Sequence, residues 1–235
     1  PEDLRALHTE VTNIPALVAG CDIDHSVPPS RTIRGGRREA LIRFRDYLAK
    51  RTKNSGLSPY IHFGQISTLE VALAAEGRAE FLEQLIVRRE LAFNFAKYAP
   101  DHHSLDVLPD WCKRTMAAHD GDLREFVYTR EQFERAATHD TLWNAMQREL
   151  LLTGVIDGYY RMYWGKKIIE WSASHQEALT TMIELNDKWA LDGRDPNGYT
   201  NILWCLGLHD RPWAERDVFG KVRYMNEQGM RRKTD

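Results

Sequence analysis

"SASHQEALTTMIELNDKWALDGRDPNGYTNILW", residues 172–204, decides the fold, because it holds one complete helical pattern, a polar corner and the start of the next helix. Ser174 followed by Glu177 is a capping box, in which each side chain satisfies an orphan amide of the first turn, so a helix is expected over 175–190. Its apolar stripe runs Leu179, Met182, Ile183 and then, seven residues after Leu179, Asn186. A buried amide costs on the order of 1–3 kcal/mol unless it is hydrogen-bonded, so Asn186 needs a partner, either a neighbouring helix or a ligand. The run Asp195-Pro196-Asn197-Gly198 reads as a turn, in which proline presets φ and Asn and Gly accept left-handed conformations. Turn geometry leaves Asp192 and Arg194 unexplained.

Outward from this stretch the apolar period is helical almost throughout. Helices are expected at 37–51, 59–76, 78–98, 111–119, 130–137, 140–153, 155–172, 175–190 and 199–208, with a shorter one near 212–218. No alternating strand, internal repeat or low-complexity segment stands out, so the fold class is all-α. Residues 1–36, broken by "SVPPS" at 26–30 and by Gly35-Gly36, read as a connector, which leaves 37–235 as one helical domain.

The chain of 235 residues is 43% hydrophobic and 10% aromatic, enough for a large core, and its formal charge of -2 excludes global attraction to nucleic acid. A local basic patch is the remaining route to DNA: from Arg211 to Asp235 seven Lys/Arg face four acids. Cys21, Cys112 and Cys205 are far apart and odd in number, which argues against a disulfide framework or a metal site and fits a reducing compartment inside the cell, cytoplasm or nucleus. No apolar run approaches a membrane span, and a monomer is the default.

Three further faces carry polar groups in apolar company. On the helix from 155, Arg161, Trp164, Ile168 and Trp171 fall on one side, the two indoles roughly 10 Å apart along the axis. A guanidinium there needs an anion, and Asp192 at the corner is the nearest candidate. On the helix from 78, Gln84 and Arg88 sit one turn apart amid Phe81, Leu85 and Leu91, either a solvated face or the floor of a polar cavity. In "NSGLSPYIHFGQIS", residues 54–67, Ser58 reads as N-cap and Pro59 as the first helical position, with free amides suited to a diphosphate.

In order and spacing, "SGLSPYIHFGQIS", "FLEQLIVRREL", "RMYWGKKIIEW", "LNDKWALDGRDPNGY" and "VFGKVRYMN" together resemble the flavin-binding domain of class II cyclobutane pyrimidine dimer photolyases, in the photolyase and cryptochrome superfamily. The resemblance runs from about residue 23 to the end. It implies a helical domain holding FAD folded in a U, with Ser55, Gly56, Leu57 and Ser58 at the diphosphate, Asn186 facing the flavin N5, and Arg161 paired with Asp192 beside the ring. Arg88 and Arg194 join this cofactor-binding set. Trp164, Trp143 and Trp171, in that order outward, match a photoreduction chain. The implied reaction is blue-light electron donation from reduced FAD to a flipped-out dimer in UV-damaged DNA; photolyases are a known example of such base flipping. Trp204 matches an aromatic against the dimer, and Lys221 and Arg223 are expected on phosphates.

Three features depart from the family pattern. The segment before Ser55 is short. Gln84 stands where a second glutamate is usual, so it keeps a hydrogen bond but has no carboxyl proton to give. The α/β antenna domain is absent, so no antenna chromophore is expected in this chain. A flavin photoreceptor without repair and a flavin-free helical DNA-binding module are the alternatives.

Overall fold

The structure is a computed structural model that describes residues 13–234; residues 1–12 of the expected connector, the Lys233 and Thr234 side chains and Asp235 lie outside the described residues. Thirteen α-helices are seen among the described residues, with an isolated bridge between Arg216 and Gly220 as the sole β pairing. The first, α1 (Ile14–Ala19), lies within the expected connector; Asn13 caps it by accepting from Ala16 N, and it buries no residue.

The amino-terminal core is built by α2 (Arg37–Leu48), α3 (Ser58–His62), α4 (Thr68–Ala74) and α5 (Ala79–Leu82), which bury Ala40, Phe44, Leu57, Tyr60, Ile66, Val71 and Leu85 together. The helix expected at 59–76 is two helices, because Gly64 at φ +64° turns the chain between α3 and α4. The helix expected at 78–98 is continuous but contains a π-helical turn, Glu83–Arg88, between α5 and α6 (Arg89–Tyr98). Ser58 is the first residue of α3 and not its cap, which is Leu57. Its hydroxyl is committed to Asp192 and so does not turn back on the helix.

The larger core gathers α7 (Asp110–His119), α8 (Arg130–Glu134), α9 (Thr141–Thr153), α10 (Gly158–Trp171), α11 (His175–Trp189) and α12 (Pro196–Cys205) around Trp143, Tyr163, Ile168, Leu179 and Met182. Each of these helices starts where the side-chain chemistry allows. Asp140 accepts from Trp143 N, Asp157 from Tyr159 N, and Ser174 from Glu177 N. The reciprocal bond of a capping box is not formed by Glu177; Thr129 and Gln132 at α8 make both. Gly165 on α10 permits close packing, since a Cβ there would stand 2.8 Å from Cys205 Sγ and 3.1 Å from Met182 Sδ.

The short helix expected near 212–218 is not formed. Pro212 withholds an amide, and the segment closes as a hairpin in which Trp213 N donates to Lys221 O and Arg216 N to Gly220 O. Helix α7 and its following turn grip this hairpin: Val218 N donates to Asp122 Oδ2, Lys221 N to Thr115 Oγ1, and His175 Nε2 contacts Val218 O at 2.9 Å. A final helix, α13 (Glu227–Thr234), follows it and has no counterpart in the sequence expectations.

Candidate functional site

Two adjoining cavities lie between the amino-terminal core and the α10–α12 group, of about 380 Å³ and about 590 Å³, within the range of small-molecule sites. Both are lined by Ser58, Gln84, Arg161, Asp192, Gly198 and Asn201. The larger runs to Trp164 and Asn186, the smaller to Arg88, Trp204 and His209.

The polar corner between α11 and α12 forms their shared wall. Gly193 is required there, since a Cβ would meet Asn186 O at 2.5 Å. The left-handed residue of the corner is Arg194, at φ +56°, and not Asn197 or Gly198. Asp195-Pro196 is a helix start: Asp195 caps α12 by accepting from Asn197 N at 3.0 Å, and Pro196 occupies its first turn. Asp187 holds the corner by accepting from Arg194 N at 2.8 Å and from Tyr199 OH at 2.8 Å. Arg194 itself lines neither cavity, because its backbone serves the turn.

Asp192 is thereby free to face the cavities. Its carboxylate accepts from Arg161 Nη2 at 3.1 Å and from Ser58 Oγ at 2.5 Å, which ties α10 and α3 to the corner. Burial alone would push its pKa up; the Arg161 charge and the two hydrogen bonds outweigh burial and hold it below its ordinary value. Asn186 is 4% exposed and lines the larger cavity, with Nδ2 at 3.4 Å from Asp187 Oδ1 as its only side-chain hydrogen bond among the described residues. A contact at that limit satisfies little of an amide, which leaves hydrogen-bonding capacity at the wall of the larger cavity. Gly198 leaves room for it, a Cβ there standing 3.1 Å from Asn186 Nδ2.

The 54–58 loop is divided between the cavities: Asn54 and Gly56 line the larger, Ser55 and Leu57 the smaller, and Ser58 both. Asn54 donates to Asp157 at the start of α10, and Gly56 adopts φ +61° on the larger cavity's wall. Helix α3 is a single five-residue turn, so an anion there gains little from a helix dipole. Positive charge comes instead from Arg43, which lines the cavity, donates from Nε to Tyr60 OH at 2.8 Å and carries Nη1 within 3.6 Å of the position a Gly56 Cβ would take. Arg43 was not among the sequence candidates; nothing in the α2 pattern separates it from its arginine neighbours Arg37, Arg38 and Arg45.

Behind the larger cavity, the three tryptophans form a row. Trp164 lines the cavity; Trp143 stacks on it at 6.4 Å between centroids with 6° between planes; Trp171 meets Trp143 at 6.2 Å and 71°. Trp143 Nε1 donates to Trp164 O at 3.0 Å and Trp164 Nε1 to Gln147 Oε1 at 2.8 Å, so both inner indoles are fixed. Gln147, fully buried, also escaped the sequence reading because a glutamine on an apolar face announces a bond but not its partner.

Gln84 and Arg88 line the smaller cavity opposite Trp204, over whose ring the Arg88 guanidinium lies at 5.8 Å. Lys221 and Arg223 stand on the hairpin, away from both cavities, with Arg223 and Arg211 flanking the Trp213 ring at 5.0 Å and 5.2 Å. No cluster of three or more metal-ligating side chains is found among the described residues. No helix among them is long and apolar enough to cross a membrane.

No family model matches the chain. Among curated proteins it is 48% identical over 216 residues to the deoxyribodipyrimidine photo-lyase of Methanothermobacter thermautotrophicus, covering 85% of this chain and 48% of that protein. It is 48% identical over 221 residues to the one from Oryza sativa subsp. japonica (84% of this chain, 44% of that protein), and 40% identical over 239 residues to the one from Potorous tridactylus (92% and 45%). The chain spans about half the length of the curated relatives it matches. At 40–48% identity over more than four fifths of its length, the chain belongs to the deoxyribodipyrimidine photo-lyase family.

Proposed function

We propose that this chain is the catalytic half of a light-driven DNA repair enzyme of the class II cyclobutane pyrimidine dimer type, with FAD in the larger cavity and the flipped-out dimer in the smaller. The observation that carries this reading is a stacked indole row ending at a cavity whose other walls are an Arg–Asp pair and an under-bonded asparagine. The residues present fit the cofactor: Arg43 and the Gly56 loop suit a diphosphate, and the Asn186 amide suits a ring nitrogen. Held there by these residues in its reduced form, FAD would supply light-driven one-electron donation to a dimer.

The chain's own residues do the rest. Arg161 and Asp192 present a fixed, internally neutralised pair, which orients polar ring edges without adding net charge. Gln84 lies on both cavities, so its amide can donate to a carbonyl of the dimer, but it has no acidic proton to transfer. Trp204, stiffened by Arg88, offers a face for an extruded base. Lys221 and Arg223 on the clamped hairpin bind backbone phosphates. Trp164, Trp143 and Trp171 pass electrons inward, their planes held by packing and by Gln147.

The visible spectrum of the purified protein, then illumination with a thymine-dimer oligonucleotide under reducing conditions, tests this. Bound flavin with dimer loss supports repair. Bound, photoreducible flavin without dimer loss in either the wild type or Gln84→Glu supports a photoreceptor instead. A colourless protein that cannot be loaded with FAD overturns the proposal.

A further inference from the structure

The indole row has two ends, and the second opens on a cavity of its own. Trp171, 4% exposed, lines a space of about 450 Å³ between the start of α9, the last turn of α10 and the 216–227 segment. Its indole differs from the inner two: Trp143 and Trp164 each donate to a protein acceptor, and Trp171 has no side-chain hydrogen bond among the described residues. The row therefore runs from one cavity to another, 6.4 Å and 6.2 Å per step between centroids. Electrons that leave by the inner end must be replaced at the outer one.

The outer cavity is charged and unevenly so. Five carboxylates, Glu125, Asp140, Glu170, Asp217 and Glu227, line it against three cations. Four of these groups are spoken for: Asp140 caps α9 and accepts from Tyr163 OH at 2.6 Å, Lys167 Nζ is held by Glu170 at 2.5 Å, and Glu227 accepts from Arg231 Nη2 at 2.6 Å. The excess of negative charge repels anions, attracts cations and leaves neutral solutes free to enter. The planar edges around Trp171, His139 and Phe126, the last two stacked at 3.8 Å, form one wall.

We propose that this cavity is the docking site of the external one-electron donor, and that it takes small neutral or cationic thiols in preference to anionic reductants. The step balances without further reagents. The thiol gives one electron to the Trp171 radical cation, restoring neutral Trp171, and its sulfur-bound proton to a lining carboxylate; the thiyl radicals from two such events combine as a disulfide. The donor site has this role only if the indole row carries electrons, the reading proposed above.

The test uses the FAD-loaded full chain and three thiols of graded charge: cysteamine, 2-mercaptoethanol and 3-mercaptopropionate. The rate of flavin photoreduction is followed against donor concentration, and in the dark the Trp171 indole N–H signal of the flavin-free protein is followed by NMR. The expected result is a saturable dependence, with efficiency rising about two- to threefold per unit of positive donor charge near 0.15 M salt and more steeply in low salt. Glu125→Lys with Glu227→Lys, both at exposed positions, should invert the order. A Trp171 signal shifted by cysteamine in the dark supports the same site. Equal, non-saturating rates for all three thiols, unmoved by the charge reversal, overturn the docking site while leaving the indole row standing. Absence of photoreduction with every donor, despite bound flavin, overturns the row and the site together.

Discussion

Replacing Asp192 by Asn removes the carboxylate paired with Arg161 while keeping an acceptor for the Ser58 hydroxyl. The two side chains are 20% and 14% exposed, so the pair lies between a surface bridge, worth about 0–1 kcal/mol, and a fully buried one, whose breakage costs about 3–5 kcal/mol. Asp192→Asn should therefore lower stability by about 2–3 kcal/mol, most of it from the guanidinium left unpaired. In a double-mutant cycle with Arg161→Met, the coupling should be about 1–2 kcal/mol, because removing both groups spares that penalty. Urea unfolding of the flavin-free protein at pH 7 measures all four corners. The folded pKa of Asp192 lies below its ordinary 3.8, so the pair's contribution is present above that value and fades as pH falls through the folded pKa. The wild type and Asp192→Asn should thus converge only in acid below about pH 4. A coupling under about 0.5 kcal/mol, or a gap independent of acid, would refute the claim that the two groups satisfy each other.

Gln84→Glu should raise the dimer-repair yield by about 10²-fold, the low end of general acid contributions, with flavin binding unchanged; repair at the wild-type level would show that no proton is needed there. Trp143→Phe should abolish photoreduction yet leave repair by chemically reduced flavin intact, which separates the row from the site. Gly193→Ala should cost about 2–3 kcal/mol through collision with Asn186 O, read as a fall in Tm of roughly 4–12 °C. Lys166 is buried, with a single hydrogen bond, to Cys205 O, among the described residues, and burial lowers its pKa to about 8 from 10.5. The unfolded chain then holds the proton more tightly, so stability should rise with pH between those values, and Lys166→Met should erase that rise while stabilising the protein at pH 7 by on the order of 1–3 kcal/mol.

Much of this was legible in the residues. Asn186 on an apolar stripe, and a guanidinium beside two indoles on α10, each posed a demand that only a partner outside the helix meets, and the structure meets the second with Asp192. The helices from α7 to α11 followed from their period, with Ser174 as the one cap read in advance; α12 was expected at 199–208 and starts at Pro196, because Asp195 caps it where a turn was read. What failed was local. The corner was read as a turn at Asn197 and Gly198 because those residues favour left-handed backbone, whereas tertiary contacts of Gly193 and Asp187 force Arg194 into that conformation. The hairpin at 213–221 was read as a helix because its partners, Thr115 on α7 and Asp122 in the turn after it, are about a hundred residues away in sequence. Arg43 was invisible for the opposite reason: its neighbours are also arginines, and only the fold selects it.

The π-helical turn at Glu83–Arg88 acts as a phase shifter. An α-helix advances about 100° per residue, and an i→i+5 turn accommodates one residue more than its α counterpart, so everything downstream is rotated by about that angle. Because of that offset one continuous rod can turn Gln84 and Leu85 toward the amino-terminal core and the cavities and still lay α6 against α12. Deletion of the exposed Ile86 would restore a regular α-helix over 79–98 and set the two faces out of register. The chain would keep its helix content and lose the wall that separates the two cavities from solvent.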